Sequence, residues 1–287
     1  MCAPARVWLE LTKPGITLFI VLTAGAAFVT AQGGFGQPIV MLATLAATGL
    51  MSAGAATLNQ VTESAADARM KRTARRPIPS GAIGVREATG FAWSLSSAGL
   101  ALALLALPWL AALMLVLCHV SYVDVYTPLK RRTPLCTLAG AIPGALPVLA
   151  GWTASGAPIG PGAIALTGVL FMWQIPHFLA LGWLGREEYA RAGCPMLGVG
   201  DPTGEASARI ALAYAVAMAV CAVAITVMPR IGAIYLAIAL VTCGAYAAAA
   251  WSFVRQPERG AARRLFLSSL AVLPLLLAAL VLDVLIS

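Results

Sequence analysis

Charge is scarce in this 287-residue chain: Asp, Glu, Lys and Arg make up 10% of it, and there are two histidines. Soluble domains carry about 25% charged residues, so the shortage excludes a water-soluble globular enzyme, a disordered chain and a nucleic-acid-binding domain. The six cysteines, Cys2, Cys118, Cys136, Cys194, Cys221 and Cys243, include no C-x-x-C pair. That scatter argues against both a thiolate metal site and a disulfide framework. They read as free thiols, most of them small apolar fillers in or near helices. What the chain has instead is apolar bulk, with 60% hydrophobic residues and a mean hydropathy of +0.88.

A bilayer core about 30 Å thick needs roughly 20 mostly apolar residues per spanning helix. Apolar runs lie near 16–31, 39–58, 88–107, 109–127, 138–154, 161–184, 208–228, 232–253 and 265–286. They predict an all-α membrane protein of about nine transmembrane helices. No cleavable signal peptide is expected, because the first run follows Pro14 and Gly15 without a small-residue cleavage site. Of the 19 lysines and arginines, all but Arg230 fall before the first run or after the second, fourth, sixth and eighth. The positive-inside rule then predicts a cytoplasmic N-terminus and an external C-terminus, periplasmic in a bacterial inner membrane. The long links, near 59–87 and 185–207, are on the charged side, so chemistry is expected there. Their spacing of four helices suggests two related four-helix units, although no residue-by-residue repeat supports a duplication.

The end of the second run carries Asn59, Glu63 and Asp67, one every four residues. If the helix continues, the three lie along one face, drifting about 40° per step. Such a row of hard-oxygen ligands suits Mg²⁺ already complexed to a diphosphate. Lys71, Arg72, Arg75 and Arg76 follow at once, and could grip the same diphosphate. Carboxylates beside a span are often only solvated, and a basic loop is the ordinary topogenic signal. Topology needs positive charge, however, and not the order R-T-x-x-R-P-x-P-x-G found here.

With these residues in view the chain resembles the UbiA-type intramembrane prenyltransferases and, within them, the haem-modifying branch. The resemblance runs from Leu11-Thr-Lys-Pro-Gly15 to the last spans. The block Asn59 to Gly81 marks the superfamily. Three others mark the branch: Tyr126 to Thr133, followed by Gly140 to Pro147 and Gly151-Trp152; Trp173 to Phe178; and Glu188 to Met196. The resemblance implies a ring of helices around a central cavity open to lipid, forming one polytopic prenyltransferase domain over 1–287. It also implies Mg²⁺-dependent transfer of a farnesyl group from farnesyl diphosphate to a vinyl group of haem B, with addition of water, giving haem O. Asn59, Glu63 and Asp67 match the family's first metal motif. Lys71, Arg72, Arg75, Arg76, Lys130 and Arg131 become the diphosphate-binding candidates, and Arg72, Lys130 and Arg131 join the row as catalytic candidates. The expected partners are both substrates, the bilayer and a haem A synthase or oxidase assembly protein.

The chain departs from the pattern at two places. The second acidic motif, usually D-x-x-x-D or a branch-specific D-Y-x-x-A-G-x-P-M, begins here with Glu188, still a candidate metal ligand; and Cys136 stands where the branch typically has Asn. His177, in the branch's W-x-x-P-H-F block, and Tyr126 are the expected haem-binding residues, His177 as iron ligand or propionate partner. His119 has no such support, and Asp124 is expected to pair with a neighbouring base. Two rival readings are a UbiA-type enzyme acting on an aromatic quinone precursor, which should show the second D-x-x-x-D row, and a small membrane permease. The permease predicts a charge site at mid-membrane, whereas these charges cluster at one rim.

Overall fold

The structure, a computed structural model, describes residues 3–287; Cys2 lies outside the described residues. The helices are α1 (Ala5–Leu11), α2 (Pro14–Gln32), α3 (Pro38–Asp67), α4 (Val85–Ala106) and α5 (Trp109–Val120). A π-helical turn, Ser121–Tyr126, joins α5 to α6 (Thr127–Leu129); α7 (Cys136–Ala154) and α8 (Pro161–Leu184) follow. Short α9 (Arg186–Arg191) and α10 (Leu197–Gly200) lead to α11 (Glu205–Ala224), α12 (Ala233–Arg255) and α13 (Arg259–Ile286). Among the described residues, nine segments are long and apolar enough to cross a membrane, with Trp109–Leu129 counting as one, and no strand occurs.

Prolines open α2, α3 and α8, where a missing N–H costs nothing and the fixed φ suits a first turn. The spanning helices follow one another around a ring, each packing on its chain neighbour, and α13 closes it against α2. Large apolar side chains such as Leu105 and Ile39 face outward, as lipid contact requires. Inside, small residues let backbones touch. A Cβ added to Gly151 of α7 would land on the carbonyl of Ala24 in α2, where backbone cannot move aside. We expect Gly151→Ala to destabilise the protein by about 1–3 kcal/mol through overpacking, visible as a lower melting temperature in detergent; an unchanged melt would mean that the two helices can part without loss.

Prolines inside helices free carbonyls that lipid cannot satisfy. Pro147 has no N–H for the carbonyl of Pro143, and the Cys118 thiol, reaching from α5, donates to it at 3.1 Å. Cys118 is therefore more than filler. Cys118, Cys136, Cys194, Cys221 and Cys243 are all free thiols.

Candidate active site

Helix α3 is 30 residues long, far more than a bilayer needs, so it carries its last turns out of the apolar span. Asn59, Glu63 and Asp67 fall on that extension, and all three are buried. Each meets a cation from a different segment. Lys13 Nζ donates to Asn59 Oδ1 at 2.7 Å, Lys130 Nζ donates to Glu63 at 3.0 Å, and Arg76 Nη1 donates to Asp67 Oδ2 at 2.6 Å. Charge-assisted bonds of this kind are the strong ones. An open cavity of about 320 Å³, lined by Glu10, Lys13, Gln60 and Arg76 among others, adjoins the row.

Local chain geometry delivers each cation. Lys13 sits between α1 and α2 with φ 47°, a left-handed backbone uncommon for a residue with a side chain. Gln60 secures this corner by donating to the carbonyls of Glu10 and Leu11. Burial, with Arg76 adding to it, pushes the Lys13 ammonium down to about 7. Lys130 follows α6; burial works against its charge, but Tyr126, Glu63 and Tyr189 hold it above the ordinary lysine value. Arg76 is brought back to α3 by a chain of turns that starts where Thr73 Oγ1 donates to the Asp67 carbonyl at 3.0 Å.

The remaining basic residues behave differently. Arg131 donates to the Thr62 carbonyl at 3.0 Å from an exposed position. Lys71, Arg72 and Arg75 are exposed and make no ion pair among the described residues. Arg76, not Arg72, is thus the loop arginine that reaches the row. Glu188 of α9 is half-buried and lies 4.0 Å from Arg191. Its neighbour Tyr189 packs with Ala66, Met70, Cys136 and Cys194, which sets the loop after α8 against the end of α3. In that loop Asp201, a carboxylate the sequence reading did not weigh, accepts from the backbone N–H groups of Gly204 and Ser207 and caps α11. Burial raises its pKa, but hydrogen bonds from Ser207, Ala206 and Thr203 together outweigh burial and hold the carboxyl below its usual range.

Tyr126 stacks on Tyr122 with ring centroids 5.4 Å apart, and its ring passes so close to Gly140 that a Cβ there would lie 2.7 Å from it. His177 is separate from the row, among α8 and α13. Its Nδ1 is 2.7 Å from Ser269 Oγ, and its ring lies against Trp173, Phe178 and Phe266. Phe266 also borders an open cavity of about 530 Å³ with Arg259 and Arg263. His119 Nδ1 is 3.4 Å from the Met51 carbonyl. Asp124 is exposed on the π-helical turn and forms no ion pair among the described residues, so the pairing expected of it is absent: no base lies within reach of its carboxylate there.

Do these residues suit a magnesium ion? No three His, Cys, Asp or Glu side chains form a closed cage among the described residues. The row offers an amide oxygen and two carboxylates, and Asp67 Oδ1 is buried without a hydrogen-bond partner among the described residues. An open, partly unsatisfied oxygen set fits an ion that brings its own phosphate and water ligands.

The signature of the UbiA prenyltransferase family matches residues 18–275. The chain belongs to that family. A curated relative, the protoheme IX farnesyltransferase of Koribacter versatilis (strain Ellin345), is 37% identical over 297 residues, covering 97% of this chain and 93% of its own. Among solved structures, digeranylgeranylglyceryl phosphate synthase superposes with a TM-score of 0.83 at 16% identity, over 98% of this chain and 99% of its own. A UbiA homologue from Archaeoglobus fulgidus bound to GPP and Mg²⁺ gives 0.67 at 16% identity, over 96% and 99%. Both share this chain's fold.

Proposed function

We propose that the protein transfers a farnesyl group from farnesyl diphosphate to a vinyl group of haem B, with addition of water, to give haem O. The observation that carries this reading is the buried row in which Asn59, Glu63 and Asp67 each meet a cation from another segment. The name of the relatives supports the acceptor, and the blocks from Tyr126, Trp173 and Glu188 onward support the same branch.

The reaction breaks the allylic C–O bond, and the electron pair leaves with the diphosphate. The vinyl π electrons form the new C–C bond, and water adds to the cation left on the porphyrin side and releases a proton. Mg²⁺, when bound, supplies positive charge to the departing diphosphate. Asn59, Glu63 and Asp67 would hold it, with Glu188 a further carboxylate on the neighbouring loop. Lys130, Arg76 and Lys13, already held at the row, would bind and orient the diphosphate; Arg131, Arg72, Lys71 and Arg75 would add to the clamp from the exposed rim. Preorganised cations in a partly dehydrated site stabilise the charge that develops on the leaving group. His177 would hold the haem, its aromatic neighbours covering the porphyrin, Arg259 and Arg263 meeting its propionates, and Tyr126 flanking it on the row side. The whole of 1–287 acts as one domain, in a bacterial inner membrane with the N-terminus cytoplasmic.

The test is mass spectrometry of haem extracted after incubating purified protein with haem B, farnesyl diphosphate and Mg²⁺, beside an EDTA control. A Mg²⁺-dependent hydroxyethylfarnesyl haem is expected. Unchanged haem from folded protein would overturn the acceptor, and product formed equally in EDTA would overturn the metal.

A further inference from the structure

We infer that Thr127 is a positioning residue that fixes the amide orientation of Asn59, so that the oxygen and not the nitrogen faces the metal position. The inference rests on the reading of Asn59 as a metal ligand. An amide presents two nearly identical ends, of which only the oxygen can coordinate a cation. Two contacts decide between them. As an ammonium Lys13 has only donors, so the Asn59 atom 2.7 Å from its Nζ is the oxygen. The other end, Nδ2, then donates to Thr127 Oγ1 at 3.1 Å.

Thr127 can accept because its own proton is committed. Its Oγ1 donates at 2.8 Å to the carbonyl of Tyr122, five residues back, and its backbone N–H donates to the same carbonyl. That spacing exists only because Ser121–Tyr126 is a π-helical turn; in a continuous α-helix the Tyr122 carbonyl would take its N–H bond from Tyr126. The chain of donors therefore runs from Asn59 to Thr127 to Tyr122 in one direction, with both Asn59 and Thr127 buried. When a cation displaces Lys13 from Oδ1, Thr127 is the contact that keeps the amide from turning over.

The experiment compares Mn²⁺ binding, read by EPR in the presence of saturating farnesyl S-thiolodiphosphate, in wild type and variants that keep the wild-type melting profile. Thr127→Val keeps the shape and removes both bonds; we expect Mn²⁺ affinity to fall about 10-fold, the scale of losing a residue that orients a ligand. Thr127→Ser should stay within about 2-fold of wild type, by restoring the hydroxyl. The decisive arm is Asn59→Asp. A carboxylate has two equivalent oxygens and needs no orientation, so in that background the valine should cost under about 2-fold. Wild-type affinity in Thr127→Val would overturn the inference, as would an equal loss in the aspartate background, which marks a role in helix structure alone. Undiminished binding in Asn59→Ala would instead sink the reading of Asn59 as a ligand, and the inference with it.

Discussion

Asp67→Ala is expected to lower turnover by at least about 10³-fold while leaving folded protein in detergent, and Asn59→Ala to do nearly the same. The Asp67 carboxylate has two tasks in this structure. Oδ2 holds Arg76 at 2.6 Å, and Oδ1 is buried with no hydrogen-bond partner among the described residues. On the proposed reading the alanine variant loses both: a metal held at the row would lose one of its two carboxylates, and Arg76 loses the contact that holds it beside α3. The fold should survive because the Arg76 side chain retains 24% exposure and can be solvated once freed; the full penalty of an unpaired buried charge, about 3–5 kcal/mol, does not apply. Haem O formation by purified variants, measured by mass spectrometry beside binding of an unreactive diphosphate, separates the two tasks. Full activity in Asp67→Ala or Asn59→Ala would remove the metal row altogether.

The features legible in the sequence are those with a period. Nine apolar runs correspond to nine membrane-long helices among the described residues, and 161–184 coincides with α8. The second run was placed at 39–58, but α3 continues to Asp67 because nothing between Asn59 and Asp67 breaks a helix, and so the four-residue spacing became a buried face. Lys130 stood out through the block that carries it. Lys13 did not, since a lysine before a first span is ordinarily a topogenic charge, and the left-handed backbone that turns it toward Asn59 has no signature in a Thr-Lys-Pro sequence. The sequence gives no way to choose between Arg72 and Arg76 without the path of the loop. That path is set by Thr73 bonding back to the Asp67 carbonyl, a contact no spacing rule encodes. Thr127 lies in the same block as Lys130, but its contact with Asn59 is not legible there: a π-helical turn shifts the register by one residue over a few positions, too briefly to alter an apolar pattern. Local pattern thus points to the candidate site, while loop geometry decides which side chains meet the row.

His177→Ala should weaken haem retention by about 10-fold or more while leaving diphosphate binding intact, because the histidine and the acidic row occupy different parts of the ring. The aromatic and side-chain hydrogen-bond contacts of the His177 ring among the described residues are with Ser269, Trp173, Phe178 and Phe266, none of them in the row. That setting is built with some care for a residue that would otherwise only pack. Trp173 stacks on the imidazole at 5.3 Å with the rings 24° apart, and is itself pinned at both ends: its indole N–H donates to the Ser269 carbonyl and its carbonyl accepts from the Tyr246 hydroxyl. A polar side chain inside a membrane helix is costly unless it has a partner or a task; Ser269 occupies one ring nitrogen and leaves the other for a ligand. Flat aromatic walls and the arginines at the cavity beyond Phe266 match a planar apolar molecule with two carboxylates. Titration of haem B into purified His177→Ala, followed by absorbance, and of farnesyl S-thiolodiphosphate, followed by calorimetry, reads the two sites separately. Loss of haem affinity alone assigns His177 to the acceptor. Unchanged haem spectra and affinity would make it a packing residue, held by Ser269 for the sake of the α8–α13 contact, and haem would then have to bind elsewhere in the ring.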